Sequence, residues 1–416
     1  MHGEKRLLAV IVAVIVIIAI IAAIFLLYYK PPVPAPTVKL RVIGPWAGKE
    51  AEYFKTVLEE YKKVNPNVEF EYIIMRAEDL AKVLPLNFEA ETAPADVIIT
   101  PWGWFIAEMA AKGHVIELTD ISKGDYVAGI LDPVTVEGKI YAGPFTMWLK
   151  PGFWYRKSFF DRHGLSEPKT WDELKALLDN IKAISGIKNP IVTGDGVGWP
   201  VGDVAEHFII TFAGTQAQLD LIEGRVGFTD SQIRSVFENY LVPLIENRYF
   251  SEPIEWTTAI ELWWKGEYGL YFMGTWIAGM VEDANDIAFF PLPGCKGVVG
   301  GTDYVFIPKY TPNKDIALEF VKWLITEGQV VHASTPAGKI PTWVKAAPEK
   351  LWAPMQDVFR KVKELGLSIL PDLDDAIGGD WQILFWDQMK LLWVEPDKLD
   401  AILNTLTTQH PKIKGG

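Results

Sequence analysis

Residues 38–43 alternate apolar with charged side chains, which is the period of a half-buried strand, and the run stops at Gly44-Pro45-Trp46. The spacing then changes. Tyr53, Phe54, Val57, Leu58 and Tyr61 recur on one side of a helix expected over about 49–64. A second strand is expected over 68–75, a helix over 77–88, and a short buried strand within Ala-Pro-Ala-Asp-Val-Ile-Ile-Thr-Pro at 93–101. A helix ending at 109–113 and an extended piece over 115–118 follow. Strands that alternate with helices predict an α/β fold built on largely parallel sheets, with a ligand crevice at the carboxyl ends of the strands. Trp46 and Trp102 stand just past two such ends.

The next stretch, 138–182, reads as a change of unit. An extended, proline-containing crossover through 141–149, carrying Trp148, leads into the strand and short helix of Phe-Trp-Tyr-Arg-Lys-Ser-Phe-Phe-Asp-Arg-His-Gly. A capped helix comes after it. Thr170 suits its N-cap, Glu173 stands three residues on, and Leu174, Leu177, Leu178 and Ile181 recur at helical spacing. Such a crossover is a hinge candidate. Further on, helices are expected over 205–213, 232–247, 256–265 and 316–326, with largely helical segments at 348–365 and 381–406. Strands are expected at 268–273, 287–292 and 300–307.

The amino end follows another pattern. Residues 7–27 are apolar without interruption, Tyr28 and Tyr29 follow, and Lys5 and Arg6 precede. That run is long enough to span a bilayer, the tyrosines suit its interface, and the leading charges favour an inside N-terminus. A membrane anchor over 1–30 is therefore expected, with a cleaved signal segment as the alternative. Pro31, Pro32, Pro34 and Pro36 make 31–37 a stiff spacer. The rest then lies at the cell surface, outside the cytoplasmic membrane. The lone Cys295 allows no intramolecular disulfide and no lipid attachment beside the apolar run.

Composition narrows the choice. A formal charge of −13 argues against nucleic acid, which calls for clustered Lys and Arg. Seventeen tryptophans are many, and their flat faces suit stacking on a ring.

Several blocks resemble the extracellular solute-binding proteins of ABC importers, and within them the sugar-binding, maltose-binding-protein-like family. They are Gly-Lys-Ile-Tyr at 138–141, Trp154-Tyr155-Arg156-Lys157, Pro-Lys-Thr-Trp-Asp-Glu-Leu at 168–174, the Gly-Thr-Trp turn ending at Trp276, and the paired glycines 300–301. The resemblance covers roughly 38–410. It implies a two-lobe, type II periplasmic-binding-protein-like fold with a hinge, preceded by the transmembrane helix. Lobe 1 is then 38–145 with 304–345, and lobe 2 is 146–303 with 346–416.

It also implies a solute, sugar or oligosaccharide, held between the lobes by a monomer and passed to ABC permease and ATPase subunits. No enzymatic activity and no cofactor are implied. The candidate ligand contacts are Trp46, Lys49, Glu50, Trp102, Trp148, Trp199, Asp203, Trp276, Asp303, Tyr304 and Trp381. Pro101-Trp102-Gly103-Trp104 stands where family members often carry an acidic residue, so stacking is expected there. Asp203 has a second reading as the N-cap of its helix.

Other chemistry finds little support. The six histidines show no zinc spacing, and no Gly-x-Ser-x-Gly elbow is present. The Gly-rich Thr193–Gly198 stretch lacks the Lys-Ser or Lys-Thr of a phosphate loop and reads as a turn. The acidic cluster Asp372, Asp374 and Asp375 lacks ion-loop spacing and reads as a solvated turn. A carboxylate pair for glycoside hydrolysis is a spatial feature, so a surface carbohydrate-active enzyme stays open, as does a binder of a less polar or non-sugar solute.

Overall fold

The computed structural model describes residues 11, 14–21, 37–195 and 198–413. Its strands are β1 (Val38–Gly44), β2 (Val68–Ile74), β3 (Val97–Thr100), β4 (Thr135–Val136), β5 (Lys139–Ile140), β6 (Gly143–Lys150), β7 (Phe153–Arg156), β8 (Asn189–Asp195), β9 (Phe250–Glu255), β10 (Tyr268–Phe272), β11 (Ile287–Phe290), β12 (Gly297–Phe306), β13 (Ile340–Pro341) and β14 (Ser368–Pro371). They form two lobes. The larger sheet runs β13-β6-β12-β3-β1-β2 with β14 beside β12, the other runs β11-β7-β10-β8-β9, and β4 with β5 is a small hairpin.

Each sheet has a parallel kernel, β2-β1-β3 in one and β10-β8-β9 in the other. The remaining pairings are mostly antiparallel: β12 against β3 and β6, β13 against β6, and β7 against β10 and β11. The sheets are thus mixed rather than largely parallel. A chain that leaves one lobe and returns to it can lay its crossing strands against the kernel in the opposite sense without a helical crossover.

Both crossing strands lie whole in the larger sheet. β6 runs to Lys150 and β12 begins at Gly297, so the chain passes between sheets at Pro151-Gly152 and between Phe290 and Gly297. The first passage comes after the junction expected at 145/146 and the second before the one expected at 303/304.

Local signals account for most helices. Thr170 accepts from the Glu173 backbone N–H (3.2 Å), while Glu173 Oε2 accepts from Lys169 N–H (2.7 Å), so the reciprocal cap reaches back one residue further than a capping box. Leu174, Leu177, Leu178 and Ile181 form the buried face of that helix. The helix expected over 232–247 is Ser231–Val236 and Val242–Glu246 joined by a π turn, Phe237–Leu241. Pro243 has no N–H to give and its ring clashes one turn back, which a widened turn relieves. The terminal helical stretch divides into Gly379–Val394 and Leu399–Thr408 at Pro396. Residues 115–118, expected as extended, contribute only an isolated bridge from Val115 to Pro308.

At the amino end, Ile11 and residues 14–21 are helical and exposed. Most of the expected anchor and residues 31–36 of the spacer lie outside the described residues, among which no helix is long and apolar enough to cross a membrane.

The strands that carry Trp46 and Trp102 are tied down by Asp96, which is fully buried just before β3. Its carboxylate accepts from Arg41 N–H (2.7 Å), Thr311 Oγ1 (2.6 Å) and Asn313 Nδ2 (3.2 Å). Asp96→Ala strands three donors and is expected to cost about 2–4 kcal/mol. Urea unfolding should show the midpoint falling with an unchanged slope.

Candidate functional site

A cleft of about 180 Å³ opens between the lobes, and it is walled by the carboxyl ends of both parallel kernels. From the larger sheet come Trp46 after β1, Arg76 and Glu78 after β2, and Trp102 after β3, with Glu50 in the first turn of the helix Gly48–Val64. The other lobe contributes Trp199 after β8, Trp256 after β9 and Trp276 after β10. The floor is Trp148 and Lys150 on β6, Lys339 beside β13, Asp372, Asp374 and Asp375 after β14, and Trp386.

The indoles form two connected groups. Trp148 meets Trp276 edge to face at 5.6 Å, Trp276 meets Trp199 at 5.8 Å, and Trp199 meets Trp256 at 5.9 Å. Across the cleft Trp102 stacks on Trp104 at 5.6 Å and touches Trp386 at 6.2 Å. Glycines make room for two of these rings. A Cβ on Gly301, the β12 partner of Trp148, would lie 2.2 Å from that indole, and one on Gly274 would lie 2.0 Å from Trp276. Trp46 is fixed from behind, with Phe54 at 4.8 Å and His332 at 5.1 Å, while Tyr72 Oη donates to its carbonyl (3.0 Å).

Two buried lysines organise the polar floor. Lys150 Nζ lies 2.5 Å from Asp203 and 2.6 Å from Asp372, and 4.8 Å and 5.4 Å from the rings of Trp148 and Trp199. Burial disfavours its charge, but Asp203, Asp372 and Asp374 outweigh that and hold it well above the usual lysine range. Burial also pushes Asp372 up, and there Lys150 and hydrogen bonds prevail, leaving that carboxyl below its ordinary value. Asp203 is pushed up to about 7 by burial, against the pull of Lys150 and with Asp372 adding to the rise. Lys339 Nζ lies 2.8 Å from Asp303, which Thr146 Oγ1 also reaches (3.3 Å), and 5.4 Å from the Trp46 ring. Glu50 is pushed up to about 7 by burial, which Lys339 opposes.

The structure gathers Trp46, Glu50, Trp102, Trp148, Trp199 and Trp276 into the cleft wall. Asp203 and Asp303 sit one layer below, each under the lysine it pairs with. Three residues do not face the cleft. Tyr304 is buried with its hydroxyl donating to Ile130 O (2.7 Å), because it follows Asp303 directly on β12 and strand alternation turns it to the opposite face. Trp381 is buried against Phe228 and Phe385 and donates to Leu406 O (3.1 Å). Lys49 is exposed and reaches Met280 O across the rim (3.5 Å).

Asp372 and Asp374 are buried, so they do not form a solvated turn. Glu206, Gln382 and Trp386 surround them: Gln382 and Trp386 donate to Asp374, and the Leu373 N–H donates to Glu206 (2.8 Å). Trp256, Trp386, Lys150 and Lys339 were not singled out from the sequence. Trp256 follows β9, a strand not expected from the sequence, so nothing there marked it as Trp46 is marked.

The model of the family described as bacterial extracellular solute-binding protein matches residues 47–331. An uncharacterized ABC transporter extracellular-binding protein of Pyrococcus horikoshii is 57% identical over 90% of this chain and 89% of its own. A maltotriose-binding protein of Pyrococcus abyssi is 25% identical over 70% of this chain and 64% of its own. The solved structure of a chitin oligosaccharide binding protein superposes with a TM-score of 0.75 at 20% identity, over 90% of this chain and 99% of that one, a likeness of fold. Family match and two-lobe architecture agree, and the chain belongs to the bacterial extracellular solute-binding proteins.

Proposed function

We propose that this extracellular solute-binding protein of an ABC transporter captures a sugar or oligosaccharide in the interlobe cleft and delivers it to the permease and ATPase subunits, without catalysing a reaction. The supporting observation is the linked set Trp148, Trp276, Trp199 and Trp256 facing a floor of lysines and carboxyl groups. Indoles suit the apolar faces of pyranose rings, and charged groups suit their hydroxyls. Stacking adds about 0.5–1.5 kcal/mol per ring beyond buried area, whereas micromolar affinity needs about 8 kcal/mol. Hydrogen bonds from Glu50, Lys150, Lys339 and Asp375 supply the direction that stacking lacks. The crossings at Pro151-Gly152 and at 291–296 serve as the hinge between lobe 1 and lobe 2, and a solute that touches both lobes favours the closed arrangement.

The protein acts as a monomer held to the outer face of the membrane by the apolar segment 7–29. The relatives named above support the carbohydrate class, since one binds maltotriose and another chitin oligosaccharides by name.

Titration with maltose, maltotriose, chitin oligosaccharides and xylo-oligosaccharides, followed by tryptophan fluorescence and by X-ray scattering, tests this reading. A saturable fluorescence change with a smaller radius of gyration is expected for at least one of them. Trp276→Ala should raise its Kd about tenfold or more, a loss of about 1.4 kcal/mol. Silence of the whole panel in both measurements would remove the carbohydrate assignment.

Glu50 gives a pH test with a definite sign. Its pKa rises from 4.5 to about 7 on burial, so the folded state holds a proton that the unfolded chain has released between those values. Stability from this group therefore falls as pH rises from about 4.5 to 7 and stays low above it. Glu50→Gln should flatten that part of the melting-temperature profile and raise the melting temperature at pH 8 relative to the parent.

For the anchor, full-length protein should sediment with membranes after a high-salt wash, and a chain lacking residues 1–36 should stay in the supernatant. Equal partitioning of the two would rule the tether out.

A further inference from the structure

We propose that the acidic cluster behind Lys150 is a binding site for a hard divalent cation of the calcium type, with oxygens from Asp203, Glu206, Asp372 and Asp374 and the side-chain carbonyl of Gln218 as its protein ligands. One oxygen from each of the four carboxyl groups lies within 4.8 Å of the others, and all four residues are buried. The set is oxygen only, which selects calcium or magnesium over the softer metals. His207 adjoins Glu206 in sequence, but its Nε2 accepts from the Leu292 N–H (3.0 Å), leaving the cluster without an imidazole ligand from that residue.

A second observation comes from outside the carboxylates. Gln218, on the separate helix Thr215–Ile222, donates through Nε2 to Glu206 Oε2 (2.6 Å) and is fully buried, yet its Oε1 has no hydrogen-bond partner among the described residues. Turning the amide over gives no relief, because Nε2 also faces Pro371 O (3.5 Å) and the exchange would bring oxygen against oxygen. Glu206 Oε1 and Asp372 Oδ1 are likewise buried without a partner. Three buried acceptors, on three segments of the chain, thus lack a donor among the described residues, although buried polar atoms are nearly always satisfied.

The charges point the same way. Lys150 is spent on Asp203 and Asp372, and the donors on Asp374, from Gln382 and Trp386, are neutral. A divalent ion neutralises the cluster and gives the stranded oxygens a partner at once. It enters from the cleft, where Asp372 and Asp374 are reachable, and water from the cleft completes its shell. Bound there, it ties the segment after β14 to the helix Trp199–Phe212 directly beneath the ligand floor.

The test uses the full-length protein stripped of divalent ions with a chelator, in the absence of sugar, so its outcome is independent of the carbohydrate assignment. Calcium chloride should bind with about one equivalent by calorimetry and raise the melting temperature by about 3 °C or more at saturation. Terbium should give emission sensitised through tryptophan, because Trp386 donates its N–H to Asp374, and excess calcium should quench it. Glu206→Gln and Asp374→Asn should each weaken calcium at least tenfold with an unchanged circular dichroism spectrum. Coincident melts with and without calcium, or calcium affinity unmoved in both variants, would overturn the proposal. Should neither variant fold, terbium with the parent protein decides: emission no higher than with free tryptophan rejects the site, and calcium-displaceable emission supports it.

Discussion

The antiparallel register between β6 and β12 is the constraint on which the cleft floor depends. Thr146, Trp148 and Lys150 alternate onto one face of β6, opposite Asp303, Gly301 and Val299. That face therefore presents a hydroxyl beside a carboxylate, an indole over a glycine, and an ammonium at the strand's end. Slipping the pair by one residue would turn every one of these groups to the other side. A slip that brings Thr302 opposite Trp148 would also set a side chain under the indole, where even a Cβ comes to 2.2 Å of the ring.

The ion pairs on this floor are better understood as positioning devices than as sources of stability. Placing Lys150 between Asp203 and Asp372 costs desolvation of three charges, which their attraction offsets only when the geometry is good. The short contacts and the cation above two indoles supply that geometry. Removing the ammonium alone would leave carboxylates buried and uncompensated. Such a cost is accepted where it fixes a polar head that a ligand meets, and Lys339 over Asp303 repeats the device beneath Trp46.

Positions governed by local pattern were legible in the sequence. Trp46, Trp102 and Trp276 follow runs whose period marks them as strands, and the end of a parallel strand is where a crevice lies. Thr170 carried its cap in the residues around it. What depends on distant partners was not legible. Asp372 and Asp374 have the composition of a wet turn, and only Lys150, 222 residues from Asp372, with the donors Gln382 and Trp386 makes their burial tolerable. Lys150 itself reads as an ordinary strand-terminal lysine. Tyr304, by contrast, could have been set aside from the pattern alone: it follows Asp303 directly, and a strand's period of two turns neighbours to opposite faces. The helix holding Trp381 is apolar on several sides, so its spacing does not say which tryptophan faces the cleft. Trp386 does, one turn and more further on.

The same geometry explains how a small solute governs the relation between two large lobes. Apart from the buried Lys150–Asp203 pair, whose attraction is largely offset by desolvation, few polar contacts join them across the cleft: the Leu149 N–H donates to Thr275 (3.3 Å), Tyr53 donates to Gly279 O (2.9 Å), and Lys49 approaches Met280 O. Hydrogen bonds of this kind contribute about 0.5–1.5 kcal/mol each, so together they favour closure by only a few kcal/mol. Parting the lobes would wet the Trp148 and Trp276 edges as well, and these belong to different sheets. A ligand lying against both indoles touches them simultaneously only when the lobes are together. Its differential contact is then of the same size as the bonds that already hold them, which is the condition for a bound solute to set the population.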